Sequence, residues 1–241
     1  MHTTTTIEAL IFDMDGVIID SKDHVERFWR EKLDFYDIKA DEKEMELRFH
    51  GRPAKLIIDD IFAELPDEAR NELAEECSRY DSSVEQYRMI PGVEAFLDEV
   101  SRLDIPIGLV TSALPPKVDR MLEGLSFPSP FRVIVTANLV QNGKPDPECY
   151  VLAADKLGVV PELALVFEDS VSGVQAASRA GAEVIGVNEP HLAGHLKEAG
   201  AGIVIPDFTT VRLLNGGSSF QLGTGENGPV FRMITEPEEE L

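Results

Sequence analysis

Apolar residues run without interruption from Ala9 to Phe12 and stop at Asp13-Met14-Asp15-Gly16. A stretch that is apolar at every position and ends in a turn signal predicts a strand buried on both faces. After Asp20-Ser21 the spacing lengthens to three and four residues, placing Val25, Phe28, Trp29 and Leu33 on one helical face, with Ser21 or Asp20 in the capping position. Helical spacing continues over 42–49, 53–65 and 66–80, punctuated by Gly51 and Pro66, with no buried-strand pattern among them. Pro91-Gly92 marks a return. A helix is predicted over 93–103 and a strand over 105–110, and Pro115-Pro116 opens a further helix whose first turn tolerates proline. Strands follow at 131–135, 163–167 and 184–187. Between them lie helices at 147–157, stopped by Gly158, and 174–180, capped by Ser170 and ended by Gly181.

Strands alternating with helices of this length predict an α/β fold, a doubly wound parallel sheet with function gathered at the carboxyl ends of its strands. The expected organisation is a Rossmann-like core from residues 1–20 and 88–214, with a small all-helical cap from 21–87 inserted after the first strand. Residues 215–241, rich in Gly, Ser and Thr, read as a hairpin or a partly disordered extension. Within them, Gly-Thr-Gly-Glu-Asn-Gly at 223–228 formally matches a dinucleotide fingerprint. Pro229 and the β-prone Val230-Phe231 follow where a helix should open, so that match is rejected.

Charge narrows the choice of partner. Among 241 residues, 44 are acidic and 22 basic, giving a net charge of −22, which excludes nucleic acid and anionic membrane surfaces as partners. No apolar run approaches the ~20 residues of a membrane span, and the N-terminus lacks the pattern of a signal peptide. Cys77 and Cys149 are too few for a disulfide framework and read as reduced thiols. A cytoplasmic protein, monomeric or weakly dimeric, is expected. Its field repels anionic substrates, although screening confines that repulsion to roughly 8 Å. Any phosphate site therefore needs local cations.

Two carboxylates at the end of a buried strand cost free energy unless a cation or hydrogen-bond donors receive them. Asp13 and Asp15 alone fit a solvated strand end equally well. The other strand ends add Thr111-Ser112, Lys144 and Glu168-Asp169, so that a hydroxyl, a cation and up to four carboxylates converge on one crevice. Phosphoryl transfer with Mg2+ requires that combination. Lys144 is not a Walker lysine, because Asn138 stands where a glycine is needed and Pro145 where Ser or Thr is needed.

Four motifs carry a resemblance. Phe-Asp-x-Asp-Gly-Val-x-x-Asp-Ser at 12–21, Val-Thr-Ser at 110–112, Gly-Lys-Pro-Asp-Pro at 143–147 and Phe-Glu-Asp-Ser-x-x-Gly at 167–173 resemble the haloacid dehalogenase superfamily, in its helical-cap branch typified by β-phosphoglucomutase and phosphoglycolate phosphatase. The resemblance implies that Asp13 attacks phosphorus to give an aspartyl-phosphate and that Asp15 serves as acid, then base. It implies that Thr111, Ser112 and Lys144 hold the phosphoryl group. Asp13, Asp15 through its carbonyl and Asp169 would form the Mg2+ site, with Glu168 either a ligand or held through water. His50, Gly51 and Arg52 would meet the substrate from the cap.

β-Phosphoglucomutase carries a histidine where this chain has Val25, a lysine where it has His50 and an arginine where it has Ala54. A mutase must grip a second phosphate, so hydrolysis is favoured. The expectation is a Mg2+-dependent phosphatase acting on a small phosphorylated metabolite, a sugar or polyol phosphate. A hexose-phosphate mutase is the alternative, and a non-catalytic metabolite-binding protein is the alternative of another class. His191 and His195 are spaced for zinc on a predicted helix but lack the glutamate of a metalloprotease motif, and read as surface or crevice-rim residues. Trp29 reads as cap core.

Overall fold

The computed structural model describes residues 5–214, 219–221 and 229–233. Strands β1 (Thr5–Ile7) and β2 (Ala9–Asp13) are followed by four helices, α1 (Lys22–Phe35), α2 (Glu42–Arg48), α3 (Ala54–Ile61) and α4 (Asp67–Asp81). Then come α5 (Val93–Ser101), β3 (Ile107–Val110), α6 (Pro115–Glu123), β4 (Val133–Val135), α7 (Glu148–Leu157), β5 (Ala164–Glu168), α8 (Val171–Ala180), β6 (Glu183–Val187), α9 (Ala193–Ala199) and β7 (Ile203–Ile205). Six strands form one sheet in the order β4-β3-β2-β5-β6-β7, every pairing parallel. This is the doubly wound α/β architecture that the alternation predicts.

Strand β2 lies at the centre, and all five of its residues are buried. Successive side chains point to opposite faces. Leu10 and Phe12 join one apolar cluster, Ile11 the other. Phe12 stacks on Phe167 of β5 with ring centroids 4.8 Å apart, and Phe96 of α5 meets both rings. Asp13 therefore ends a rigid, fully packed strand. The edge strand β7 goes beyond the five strands expected, because its three residues are too short a run to separate from loop.

Helices α1–α4 build a third apolar cluster of their own, centred on Trp29, Phe49, Ile57 and Phe62. Trp29 is only 2% exposed and packs among Phe28, Phe49 and Phe62, which makes it a core residue rather than a stacking platform. Ser21 stands at the start of α1 without capping it by its side chain. Its hydroxyl is used elsewhere.

Residues beyond the main sheet form strands β8 (Arg212–Leu214), β9 (Ser219–Gln221) and β10 (Val230–Met233). With β1 they make a second sheet in the order β1-β10-β9-β8, in which β10 runs parallel to β1 and antiparallel to β9. Phe220 and Phe231 stack at 5.2 Å and join the core beside Phe96. The fingerprint-like string at 223–228 lies outside the described residues. Among the described residues no helix is long and apolar enough to cross a membrane.

Candidate active site

The order β3-β2-β5 brings the ends of three separate apolar runs side by side, which is where ligands bind in open α/β sheets. Asp13 closes β2, Thr111 and Ser112 follow β3, and Glu168 closes β5. Lys144, on the loop after β4, reaches into the same point. Its ammonium bonds to Oδ1 of Asp13 and lies 2.6 Å from Oε1 of Glu168. Lys144 is 2% exposed and Glu168 fully buried, so each charge has lost its water and depends on the others.

Glu168 is held on all sides. Oε1 also accepts from the Tyr150 hydroxyl at 3.0 Å, and Oε2 accepts from the amide and hydroxyl of Ser170 at 2.9 and 3.0 Å. A Cβ on Gly173 would stand 1.6 Å from Oε1, so glycine is required there for the carboxylate to sit where it does. Both Glu168 oxygens thus accept from donors within the protein, and the carboxylate anchors Lys144.

Asp15 faces a different set. Its Oδ1 accepts from the Ser21 hydroxyl and lies 2.8 Å from Nζ of Lys117, which is buried on α6. Lys117 also approaches Asp81, at the end of α4, at 3.7 Å. Sequence reasoning passed over Lys117, Asp81 and Tyr150, and read Ser21 as a possible helix cap. On the sequence Lys117 is one more helical lysine, and its partner lies 102 positions away (117 − 15).

Electrostatics separate the two aspartates' surroundings. Burial pushes the Asp13 carboxyl up to about 8, against the pull of the Lys144 ammonium. Burial, with the charges of Glu168 and Asp13, drives the Asp169 carboxyl well above the carboxylate range. Although burial opposes it, Asp13 and Glu168 hold Lys144 well above the usual lysine range. Lys117 is likewise raised, burial being overcome by Asp15 and Asp81.

Two carboxylates, those of Asp13 and Glu168, meet one lysine, and the buried Asp169 carboxylate adjoins them, an excess of negative charge that suits another cation. Among the described residues the Asp169 carboxylate accepts no hydrogen bond, while its backbone carbonyl accepts from Asn188 at 2.9 Å. Its carboxylate packs over Gly16, where a Cβ would come within 2.0 Å of Oδ2. Among the described residues no three His, Cys, Asp or Glu side chains converge on a ready-made cation cage. Few carboxylates completed by backbone, water and phosphate oxygens suit Mg2+ better than a cage would. The four acidic residues expected at the metal therefore divide. The carboxylate of Asp13 meets Lys144, that of Asp169 packs over Gly16, the Asp15 side chain is paired with Lys117, and Glu168 holds Lys144.

Thr111 is buried, with its Oγ1 accepting from the amide of Ala113 at 3.0 Å. Ser112 instead donates to the carbonyl of Gly51 at 3.0 Å, and Ser172 to the carbonyl of His50 at 3.2 Å. His50 and Gly51 therefore bring the helical module down onto the core through their backbone. The His50 ring turns inward, with Nδ1 3.0 Å from Glu46, and is only 7% exposed. Arg52 reaches the cleft wall, but its guanidinium bonds to the carbonyl of Arg48 and to Asp60 at 2.9 Å. Helix α9 begins only at Ala193, so His191 and His195 share no helix. Both cysteines are free and buried.

The family model of the haloacid dehalogenase-like hydrolases matches residues 10–187. The chain is 32% identical to validoxylamine A 7'-phosphate phosphatase of Streptomyces hygroscopicus subsp. limoneus, over 85% of this chain and 96% of that one. It is 36% identical to a phosphorylated carbohydrates phosphatase of Thermotoga maritima, over 74% and 84% of the two chains. The solved β-phosphoglucomutase of Clostridium difficile superposes with a TM-score of 0.73 at 27% identity, covering 86% of this chain and 93% of that one. The motifs at the strand ends, the parallel sheet and these likenesses agree: the chain belongs to the haloacid dehalogenase-like hydrolases.

Proposed function

We propose that the protein is a Mg2+-dependent phosphatase of small phosphorylated metabolites, of sugar or polyol size, working through an aspartyl-phosphate on Asp13. The observation that carries this reading is the division of labour between the two aspartates: Asp13 is fixed by Lys144 deep at the end of β2, while Asp15 is held apart by Ser21 and Lys117.

A fixed carboxylate whose charge is partly balanced is a suitable nucleophile, and a bond from its oxygen to phosphorus gives an anhydride labile enough to be hydrolysed next. As the bond to the substrate's ester oxygen breaks, Asp15 gives that oxygen a proton and the alcohol leaves. A water then passes a proton to Asp15 and attacks phosphorus, releasing phosphate and restoring Asp13. Thr111, the backbone at Ser112 and Lys144 would hold the phosphoryl oxygens. Mg2+, held by Asp13, Asp169 and the Asp15 carbonyl, would neutralise phosphoryl charge.

Helices α1–α4 would act as the cap. Hydrolysis is favoured over mutase chemistry because the cations on the cleft wall are committed, Arg52 to Asp60 and Lys55 to Asp59. The Lys55 pair is an exposed one, so the commitment of the less exposed Arg52 weighs more against a grip on a second phosphate. The phosphatase names of the two relatives support the same choice. The test is phosphate release across a panel of sugar, polyol and nucleotide phosphates with Mg2+, none being expected from Asp13→Asn. Conversion of β-glucose 1-phosphate to glucose 6-phosphate with little free phosphate would establish the mutase instead. Equal turnover by Asp13→Asn and the wild type would leave the non-catalytic reading.

A further inference from the structure

The cleft between the helical module and the core encloses 340 Å3, and two opposite charges line it beside Asp15: Lys117 on α6 of the core and Asp81 at the end of α4. Both are held from behind. The Lys117 ammonium lies 2.8 Å from Oδ1 of Asp15 and 5.8 Å from the centre of the Tyr87 ring. The hydroxyl of that same tyrosine donates to the backbone carbonyl of Asp81 at 3.1 Å. Even so, ammonium and Asp81 carboxylate stop 3.7 Å apart, near enough to attract and too far for a hydrogen bond. Among the described residues the Asp81 carboxylate accepts no hydrogen bond. Burial raises its carboxyl against the pull of Lys117, so the charge is short of donors. Ser78 and Ser82 flank it on the same wall, and Ser82 spends its proton on the carbonyl of Ser78, which leaves its hydroxyl oxygen to accept.

An ammonium with donors to spare, facing a carboxylate that lacks one, suits a group that accepts and donates at once. A hydroxyl does both, whereas an ether oxygen only accepts and a methylene does neither. Lys117 also serves Asp15, whose proton goes to the ester oxygen. The hydroxyl that meets Lys117 therefore belongs on the carbon next to the one bearing the phosphate. We infer that Lys117 and Asp81 together read that neighbouring hydroxyl, so that the cleft selects phosphate esters of vicinal diols. Open-chain polyol phosphates fit. Hexopyranose 6-phosphates fit less well, because their neighbouring carbon carries the ring oxygen, which accepts from Lys117 and gives nothing to Asp81. The inference rests on the phosphatase reading and narrows its sugar-or-polyol range, with Asp81 as a specificity-determining residue.

The test compares 2-hydroxyethyl phosphate with ethyl phosphate, which lacks the hydroxyl, and with 2-methoxyethyl phosphate, which accepts but cannot donate. Binding of each to full-length Asp13→Asn protein with Mg2+ is measured by calorimetry, and turnover is measured on the wild type. The hydroxyl ester is expected to bind, and to turn over by kcat/KM, roughly tenfold or more better than either analogue, as a hydrogen bond to a charged group allows. Asp81→Ala, measured in both backgrounds, is expected to abolish that advantage. Asp81→Asn, which keeps an accepting oxygen without the charge, is expected to reduce it. The advantage is a ratio between esters on one protein, so a general loss of stability or activity does not imitate the result. Equal values for the hydroxyl and ethyl esters, an advantage shared in full by the methoxy ester, or one that survives in Asp81→Ala would overturn the inference. Tighter binding of the hydroxyl ester that depends on Asp81, with no phosphate released by the wild type, would support the subsite and overturn the phosphatase reading.

Discussion

Lys117 extends from α6 to place its ammonium 2.8 Å from Oδ1 of Asp15. Because it also faces Asp81 at the end of α4, one core lysine ties the proposed acid–base residue to the helical module. Proton transfer by a positioned carboxyl contributes about 10²–10⁴-fold. Asp15→Asn should lose kcat on alkyl phosphates by that amount, and Lys117→Met by about tenfold or more, with partial recovery in Lys117→Arg. The loss in Lys117→Met should be smaller for 4-nitrophenyl phosphate, whose leaving group needs no proton. Equal losses on both esters would reduce Lys117 to a folding role.

The raised carboxyls of Asp13 and Asp169 make stability depend on pH and metal together. Without Mg2+ the folded chain keeps protons on groups that the unfolded chain gives up near pH 4, so folding takes up protons across that interval. Stability of the metal-free protein should therefore fall as pH rises from about 5 towards the Asp13 value of about 8. Mg2+ competes with those protons, so its stabilising effect should grow over the same window. Thermal denaturation at several pH values, with and without Mg2+, checks this. A Mg2+ effect independent of pH would contradict it.

Gly173 and Tyr150 should report on the Glu168 web. Alanine at 173 would force Oε1 out of its place, since its Cβ would lie 1.6 Å away. Breaking a buried ion pair in this way costs about 3–5 kcal/mol. Tyr150→Phe removes one hydrogen bond to a charged group, about 1.5–3 kcal/mol. Chemical denaturation should rank the two in that order.

Gly51 has φ +70°, and a Cβ there would stand 2.0 Å from Oγ of Ser170. Gly51→Ala therefore lifts the helical module from the core as well as straining its own backbone by about 1–2 kcal/mol. The expected result is a fall in kcat/KM of about tenfold or more, since small misplacements of a closing module are amplified in catalysis. Kinetics and unfolding measured on the same variant separate the two effects.

The central sheet and most motif residues were legible because Asp13, Thr111 and Glu168 sit at the ends of apolar runs, which parallel topology gathers, and Lys144 lies on the loop that follows another such run. Asp13, Thr111, Lys144 and Glu168 meet for that reason. What the sequence hid depends on pairing between distant segments. Strands β1 and β10 find each other across nearly the whole chain, so the β-prone residues 230–233 read as part of a hairpin or a partly disordered extension, without their partner β1. Lys117 has no local mark. The inward turn of His50 did have one, the glutamate four residues earlier at Glu46, a spacing that pairs side chains along one helical face. The sequence left open whether Glu168 ligates a metal or is held through water, because its contacts are made with distant residues. Strand geometry sends the side chains of Glu168 and Asp169 to opposite sides, one to Lys144 and Tyr150, the other over Gly16.

The central claim is that phosphorus passes through Asp13. Rapid acid quenching of the Mg2+-loaded wild type and of Asp15→Asn during turnover of 4-nitrophenyl phosphate, followed by peptide mass spectrometry, tests it directly. One phosphoryl group is expected on Asp13, accumulating further in Asp15→Asn, where the water lacks its base, and absent from Asp13→Asn. Steady release of phosphate with no phosphoryl group on Asp13 at any time would contradict it.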